Sequence, residues 1–323
     1  MEPSQVEIAV VGSVNVDLVA SVARLPRPGE TIHAVSYEQF VGGKGGNQAV
    51  AAARLGRSVA FVGLAGDDPE GRMARSALAT ESVDVTYLGL TAEAHTGRAI
   101  VLVDDNAENS IVVVGGANAG LSPQHLAKAS HVLKGAGVVV AQLEIPTATV
   151  LEAARCATGT FILNAAPARP LPAELLDLVD VLVVNETEYE IVLGLPLPAD
   201  PGAIPSRLSQ RGVRCAVVIT LGAKGALLCA DGVVRSMAAP DVAVVDTTGA
   251  GDAFIGALAD ALSRAETLAC ATRWAVHAAS LSVSARGATT GMPRNMDVAA
   301  LLQAHSPPQE DLGLANASFP NEQ

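Results

Sequence analysis

The chain has 323 residues, of which half are hydrophobic and 17% are charged, and its formal net charge is -12. This acidic balance argues against binding to a nucleic-acid backbone, which requires a basic surface, and no uncharged apolar stretch is long enough to span a membrane. The four cysteines lack Cys-x-x-Cys spacing and the N terminus lacks a signal-peptide pattern, so we expect free thiols in a cytoplasmic protein.

Short apolar runs alternate with helical patterns along the chain, which predicts an α/β fold with a mostly parallel central sheet and helices on both faces. We expect a single domain over residues 1–305. In such sheets, ligands bind beyond the carboxyl ends of the strands. The predicted strands are Ile8–Val11, Val59–Leu64, Val138–Gln142, Thr160–Asn164, Val181–Asn185, Ala216–Leu221 and Ala226–Cys229. The predicted helices include Lys44–Leu55, Asp68–Thr80, Pro123–Lys134, Pro146–Cys156, Glu186–Leu193, Ala203–Arg211, Asp252–Ser263 and Leu268–Ala285.

Two segments interrupt the alternation of strands and helices. Residues 15–41 contain prolines but no helical period, and residues 97–116 have the pattern of a hairpin around the polar turn Asp104–Asn109. Together they predict a small antiparallel β-lid beside the main sheet, although plain surface elaboration is the alternative. The polar tail, residues 306–323, is rich in proline and asparagine, and we expect it to be poorly ordered.

The segment around Asp252 carries the strongest chemical signal. An apolar run over residues 242–245 is followed by the glycine turn Gly249-Ala250-Gly251 and then by apolar small residues, which predicts a strand, a turn and a helix. The first amides of a helix are free, so Gly249, Ala250 and Gly251 are predicted to form an anion hole. A carboxylate beside an anion is costly unless it does chemistry, so Asp252 is predicted to be a general base. The alternative is an ordinary first-turn aspartate.

A second glycine-rich turn, Gly42-Gly43-Lys44-Gly45-Gly46-Asn47-Gln48-Ala49, opens a predicted helix, and Asn15 and Asp17 follow the first strand. Their short donors and acceptors suit neighbouring sugar hydroxyls, each of which both donates and accepts. Helix capping and turn formation are the alternatives. Since the chain contains neither a Walker-type phosphate loop nor a dinucleotide fingerprint, its anion site must belong to another class.

The two glycine motifs, in this order, resemble the N-terminal and C-terminal signatures of the ribokinase-like (PfkB) family of sugar kinases, and the resemblance runs from about Ile8 to Leu302. It implies a β-lid over the sugar that often also forms a dimer interface, so a homodimer is expected. It also implies phosphoryl transfer from MgATP to a sugar hydroxyl, with activation by K⁺. D-ribose is the expected sugar and D-ribose 5-phosphate and ADP are the expected products.

The resemblance also assigns residues to the expected ligands. The sugar-binding positions are Asn15, Asp17, Gly43, Lys44, Asn47, Glu144 and Asp252. The nucleotide-binding positions are Asn185, Thr220, Gly222, Gly225 and Gly251. Magnesium is expected at Glu188 through water, and K⁺ at Asp246, Thr248, Ser282, Ala285, Gly287 and Gly291. Val276 departs from the family, whose members often carry Asn or His near the adenine, and the neighbouring His277 is expected to be a packed side chain.

Two alternatives to a ribose kinase stay open. The expected sugar-binding set has one cation, Lys44, which favours an unphosphorylated sugar over a sugar phosphate. A kinase of the same family could still act on another sugar, such as a ketose, or on a nucleoside. A catalytically silent sugar or nucleotide sensor is the other alternative, but the complete set of Asp252, Gly249–Gly251 and Asn185–Glu188 weighs against it.

Overall fold

The computed structural model describes residues 6–105 and 109–305, with residue 109 described by its backbone only. Its strands are β1 (Ile8–Val11), β2 (Asn15–Ser21), β3 (Ser36–Gly42), β4 (Val59–Gly66), β5 (Asp84–Thr91), β6 (Gly97–Val103), β7 (Asn109–Val114), β8 (Val138–Gln142), β9 (Thr160–Asn164), β10 (Val181–Asn185), β11 (Ala216–Thr220), β12 (Ala226–Ala230) and β13 (Val233–Met237). Its α-helices are α1 (Lys44–Arg54), α2 (Pro69–Thr80), α3 (Pro123–Leu126), α4 (Ser130–Gly135), α5 (Thr147–Cys156), α6 (Ala173–Leu176), α7 (Glu186–Leu193), α8 (Ile204–Gln210), α9 (Ala250–Ser263), α10 (Leu268–Ser282) and α11 (Asn295–Ala304).

The main sheet has nine strands in the order β13-β12-β11-β10-β9-β8-β1-β4-β5, which confirms the predicted α/β class. The seven strands from β11 to β5 are parallel, and β12 and β13 form an antiparallel edge. Strands β1, β4 and β8 are buried along their whole length. Their nearly continuous Val, Ile and Ala sequences are typical of strands that are covered on both faces.

Two apolar clusters cover the two faces of the main sheet. On one face, Val10 and Phe61 pack in a cluster with residues of α1, α2, α9, α10 and α11. On the other face, Val11 and Val139 pack with residues of α3 to α8. The residues that precede the carboxyl ends of the central strands are therefore held rigidly, and so are the turns that follow them.

A separate sheet of four strands, in the order β3-β2-β6-β7, is formed by the two segments that interrupt the alternation. Its two outer pairings are antiparallel, whereas its central pairing, β2 with β6, is parallel. The register pairs Asn15 with Gly42 on β3 and with Gly97 on β6, so the start of β2 lies deep between its neighbours. The small sheet thus joins the expected sugar side at Asn15.

Several boundaries differ from the prediction. The apolar run 242–245 is not a strand: Val244 and Val245 are more than 60% exposed, and Val242 and Val244 line a cavity instead of packing in the core. The helix predicted over Pro123–Lys134 is interrupted by a 3₁₀ turn at Ala127–Ala129. The helix that contains Asp252 begins two residues early, at Ala250. The prediction of a poorly ordered tail, residues 306–323, lies outside the described residues.

Candidate active site

Asp252 lies in the first turn of α9, and its carboxylate is held by the first turn of α1. Asn47 Nδ2 donates to Asp252 Oδ2 at 2.9 Å, and Gln48 Nε2 donates to Asp252 Oδ1 at 2.9 Å. The two helices approach closely because Gly256 has no side chain, and a methyl group there would collide with Ala51 of α1. The packing of α1 on α9 therefore brings the two glycine-rich motifs of the sequence together.

The sugar-binding residues expected from the sequence converge around this carboxylate. The Asn118 amide donates to Asn15 Oδ1 at 2.8 Å, which holds the start of β2. The half-buried Glu144, two residues after β8, accepts from Ser13 Oγ at 2.5 Å and from the Lys44 N–H at 3.0 Å. Three segments distant in sequence thus meet at the carboxyl edge of the main sheet, as the switch-point rule requires.

Three carboxylates share this pocket. The pKa of Asp17 is raised to about 6, chiefly by burial and in addition by the neighbouring carboxylates of Glu144 and Asp252. Burial also raises the pKa of Asp252, against the opposing effects of Lys44, Asn47 and Gln48. A carboxylate whose pKa is raised towards neutrality is a better proton acceptor from a hydroxyl than an ordinary aspartate. The arrangement can therefore both bind hydroxyl groups and deprotonate one of them.

The anion turn differs from its prediction in one respect. Gly249 adopts the left-handed conformation with φ of 78° and precedes the first helical residue. The Ala250 N–H is not free, because it donates to the Thr247 carbonyl at 3.2 Å as the turn closes onto the helix. Within the described part of the chain, the N–H groups of Gly249 and Gly251 have no acceptor. The expectation of three free amides is wrong at Ala250, which leaves two.

A cavity of about 410 Å³ lies on the other side of this turn. Its lining combines the β11–β12 turn, the irregular segment before Asp246, and one face of α10. Of the five expected nucleotide-binding residues, it contains Thr220, Gly222, Gly225 and Gly251, whereas Asn185 is not among the lining residues. Apolar side chains that were not expected to bind the nucleotide also line it, namely Ala239, Pro240, Val242, Val244, Phe254, Ala279 and Val283.

Val276 and His277 lie differently with respect to this cavity. Val276 is buried on α10 and lines the cavity. His277, its neighbour, faces away: it is 5% exposed and its Nδ1 lies 2.8 Å from the Arg273 carbonyl. Burial lowers the pKa of His277, so a neutral, packed imidazole is favoured there.

Asn185 and Glu188 form a capping box at the start of α7. The Asn185 N–H donates to Glu188 Oε2 at 2.8 Å, and the Glu188 N–H donates to Asn185 Oδ1 at 2.8 Å. One carboxylate oxygen of Glu188 is thus occupied by the cap and the other is not. Burial raises the pKa of Glu188, whereas Asn185 and Lys44 lower it. A single carboxylate fits Mg²⁺, which keeps most of its water and takes its other ligands from phosphates.

The residues expected around K⁺ form a loop cluster beside the anion turn. Asp246 accepts from the Thr248 N–H at 2.9 Å and from the Gly287 N–H at 2.8 Å. Burial raises the pKa of Asp246, but the hydrogen bonds from Thr248 and Gly287 outweigh it and lower that pKa. Gly291 passes close to the Ser282 carbonyl, and Ala285 is exposed in the loop after α10. A monovalent cation would take such a carboxylate together with carbonyl oxygens of the loop as its ligands.

Sequence reasoning missed the residue that holds this loop. Arg54, at the end of α1, donates to the Thr289 carbonyl at 2.5 Å and to the Met292 carbonyl at 3.2 Å, and it pairs with Glu81 at 2.6 Å. Helix α1 therefore contacts Asp252 at its start and the loop cluster at its end. A basic residue in the last turn of a helix is too common for its sequence position to reveal such a contact.

Residues 6–105 and 109–305 contain no group of three or more His, Cys, Asp or Glu side chains arranged to bind a metal ion. None of the helices in those ranges is both long and apolar enough to cross a membrane.

Comparison with known proteins gives a consistent result. Residues 5–295 match the pfkB family carbohydrate kinase family. The chain is similar to the ribokinase of Haemophilus influenzae, at 37% identity over 92% of this chain and 98% of the relative. It is also similar to the deoxyribokinase of Salmonella typhi, at 35% identity over 89% of this chain and 95% of the relative.

Among solved structures, the ribokinase of Arabidopsis thaliana complexed with ribose and ATP superposes with a TM-score of 0.86 at 35% identity, covering 92% of this chain and 98% of that one. The prediction of a phosphotransferase that acts on a sugar hydroxyl is thereby confirmed. The match spans both the sugar side and the nucleotide cavity, and the chain belongs to the pfkB family of carbohydrate kinases.

Proposed function

We propose that the protein transfers the γ-phosphoryl group of ATP to D-ribose, giving D-ribose 5-phosphate and ADP. The observation that carries this proposal is the position of Asp252. Its buried carboxylate faces the polar pocket of Asp17 and Asn47, while Gly251, one residue before it, lines the 410 Å³ cavity. A sugar hydroxyl and a nucleotide phosphate can therefore meet at one helix N-terminus.

In this proposal Asp252 accepts the proton of the attacking 5-hydroxyl of ribose, and α1 keeps the carboxylate in place. Asn47 Oδ1 is buried without a hydrogen-bond partner, which is energetically unfavourable. A sugar hydroxyl that donates to this oxygen would satisfy it. Asn15, Asp17, Gly43, Lys44 and Glu144 complete the sugar pocket. A charged sugar phosphate is disfavoured, because Lys44 is the single cation set against three carboxylates.

The N–H groups of Gly249 and Gly251 bind the transferring phosphoryl group at the positive end of α9. This assignment reduces the predicted hole from three amides to two, since the Ala250 N–H is occupied. Preorganised donors at this point stabilise charge as it develops, and positioning supplies most of the catalysis in phosphoryl transfer.

Two metal ions belong to the same proposal. Glu188, through water, would hold Mg²⁺, which when bound neutralises charge on the phosphates. The loop cluster that contains Asp246 and Gly287 would hold K⁺, and because it adjoins Thr248 and Gly249, it would fix the shape of the anion turn. Thr220, Gly222 and Gly225 would bind the nucleotide. Asn185 would contribute indirectly, because it caps α7 and so orients Glu188.

We further propose that the small sheet forms a homodimer interface. Its large apolar side chains are 40–61% exposed, with Tyr37, Ile100, Val112 and Val114 on one face of the sheet and Phe40, Ile111 and Val113 on the other. Apolar patches of this kind mark interaction surfaces on monomers.

The four free cysteines suit the cytoplasmic location proposed for the protein.

The test is ADP formation with a panel of acceptors in K⁺ and in tetramethylammonium salts. We expect the highest kcat/KM with D-ribose, and higher rates in K⁺. The similarity to a deoxyribokinase makes 2-deoxy-D-ribose the closest competitor in the panel, while fructose and adenosine represent the ketose and nucleoside alternatives. A higher kcat/KM with any of these three acceptors would show that ribose is not the preferred substrate. Sugar-induced thermal stabilisation without ADP formation from any acceptor would identify a silent sensor.

A further inference from the structure

Three buried amide side chains lie behind Asp252 and none of them has a role so far. Gln48 and Gln142 are completely buried, and Asn164 is 9% exposed. Gln142 Nε2 donates to Gln48 Oε1 at 2.7 Å. Gln48 Nε2 donates one hydrogen to Asp252 Oδ1 at 2.9 Å and the other to Asn164 Oδ1 at 3.1 Å. The three residues come from α1 and from the ends of β8 and β9, so they join the central sheet to the helix N-terminus.

The direction of the Gln48 amide follows from these contacts. If the Gln48 amide were rotated by 180°, its oxygen would face the Asp252 carboxylate and the Asn164 oxygen, and its NH₂ group would face the NH₂ of Gln142. All three hydrogen bonds would become repulsive contacts in a buried site, where an unmatched polar group costs about 1–3 kcal/mol. The Gln48 amide is therefore held in one direction, with an N–H always directed at Asp252.

The Asp252 carboxylate can rotate about its side-chain bonds, so a single contact would not hold its orientation. Asn47 holds Oδ2 and Gln48 holds Oδ1, so the plane of the Asp252 carboxylate is determined by two donors on α1. The buried Oδ1 of Asn47 has no hydrogen-bond partner, whereas every polar atom of the Gln48 side chain is engaged. Gln48 is thus the donor whose geometry does not depend on the substrate.

We propose that Gln48 is a positioning residue that holds Asp252 in its reactive orientation, and that Gln142 and Asn164 act through Gln48 by fixing the direction of its amide. The inference rests on the proposed function, in which Asp252 accepts the proton. The proposal adds a hydrogen-bonded connection from the carboxyl ends of β8 and β9 to the Asp252 carboxylate. Positioning of this kind affects turnover more than binding, because the ground-state sugar contacts other side chains.

The pH dependence supplies a second signature. The groups that face Asp252 are Asn47, Gln48, Lys44 and the carboxylates of Glu144 and Asp17; the two amides and Lys44 favour the ionised form of Asp252, whereas Glu144 opposes it. Removing the Gln48 donor while leaving Lys44 and Glu144 in place must raise the pKa of Asp252. The acidic limb of kcat/KM should therefore move to higher pH.

The experiment compares Gln48→Met, Gln142→Met, the double variant and Thr149→Val in the full-length protein. Thr149 is a completely buried residue remote from Asp252, whose hydroxyl donates to the Leu121 carbonyl at 2.5 Å, so its variant controls for the loss of a buried hydrogen bond. For Gln48→Met we expect kcat to fall about 10–100-fold, the effect of losing a hydrogen bond to a charged group, with ribose KM nearly unchanged. Gln142→Met should show a smaller loss, and the double variant should match Gln48→Met, since the two residues act in series.

Wild-type kcat and an unmoved acidic limb in Gln48→Met would overturn the proposal, and so would independent, multiplying losses in the double variant. If the methionine variant does not fold, Gln48→Glu keeps the side-chain volume and should lower kcat at least as much. Titration of Asp252 by carboxyl ¹³C NMR, assigned with Asp252→Asn, decides the inference without turnover. A raised pKa in Gln48→Met supports it even where the panel of acceptors shows that ribose is not the substrate, and an unchanged pKa contradicts it.

Discussion

The two halves of the site recognise their expected ligands with different parts of the chain. On the sugar side, buried polar side chains such as Asn15, Asn47 and Asp252 are joined to one another or to neighbouring amides by hydrogen bonds of 2.8–2.9 Å. On the nucleotide side, glycines, valines and alanines line the cavity, with Thr220, Asp241, Thr247 and Ser280 as its polar side chains. The sugar side offers fixed hydrogen-bond donors and acceptors, whereas the nucleotide side offers mainly an apolar cavity of defined shape.

This difference has a physical consequence for specificity. A pocket of buried polar groups rejects a ligand that leaves one of them unpaired, because each vacancy costs about 1–3 kcal/mol. An apolar cavity discriminates less, since one methylene group is worth only about 0.8 kcal/mol. Substitutions on the sugar side should therefore have larger and more specific effects than substitutions in the nucleotide cavity.

The largest effect is expected at the point where the two halves meet. Asp252→Asn should lower kcat by about 10²–10⁴-fold, the usual contribution of a general base, because an amide cannot accept the proton of the hydroxyl. Its volume is nearly unchanged, so the KM for ribose and for ATP should change little. Steady-state kinetics on the purified variant measure both. Turnover near that of the wild type would remove Asp252 from the mechanism.

A second prediction concerns the cost of collecting carboxylates on the sugar side. Asp17→Asn should weaken ribose binding by about 10–100-fold, because a hydrogen bond to a charged acceptor is lost. It should also stabilise the unliganded protein at pH 7 by about 1–2 kcal/mol, since the raised pKa of Asp17 shows that its ionised form is unfavourable there. Calorimetric titration and denaturant unfolding measure the two effects.

The sign of the stability effect depends on pH. The pKa of Asp17 in the folded protein is about 6 and its ordinary value is 3.8, so the folded state holds the proton more tightly. The wild-type protein then loses stability as the pH rises from 3.8 to about 6, and the advantage of Asp17→Asn should vanish below that range. Asp177→Asn, an exposed site with the same change of charge, is the matched control. Equal stabilisation in both variants would point to net charge instead.

The third prediction tests whether the capping box of α7 also serves the metal. Glu188→Gln keeps an oxygen that can accept from the Asn185 N–H, so α7 should stay capped. It removes the charge expected to hold Mg²⁺ through water, so the Mg²⁺ concentration needed for half-maximal rate should rise several-fold. Glu190→Gln, on the exposed side of the same helix, is the control. Identical Mg²⁺ dependence in both variants would leave Glu188 as a cap only.

The comparison of the two halves also explains what the sequence could predict. The sugar side depends on residue types, and Asn15, Asp17, Asn47 and Glu144 lie together where the strand order and the motifs required. Asn118 carried no such signal, although it donates to Asn15, because a single asparagine in a loop most often serves a turn. Partnerships between buried amides depend on packing of distant segments, which no local pattern encodes.

On the nucleotide side, the family resemblance predicts the turn residues, whereas the valines mislead the strand prediction. Thr220, Gly222 and Gly225 are assigned through the resemblance, and all three line the cavity, where Gly225 has φ of 94°. The run over residues 242–245 was read as a strand because valine favours strands in general. Val244 and Val245 are more than 60% exposed and Val244 lines the cavity, and hydrophobic patterning does not distinguish a cavity wall from a core strand.

The smallest effect should come from the cavity itself, at Val276, the position expected from the sequence to lie near the adenine. Val276→Ala removes two methyl groups from the wall, so the KM for ATP should rise about 3–10-fold while kcat and the KM for ribose stay nearly constant. Val150→Ala, a completely buried site on the other face of the sheet, controls for loss of packing. A loss for ATP as large as that of Asp17→Asn for ribose would mean that Val276 orients the base. The nucleotide cavity would then be as selective as the sugar pocket, which would contradict the expectation that polar side chains discriminate between ligands more strongly than an apolar cavity does.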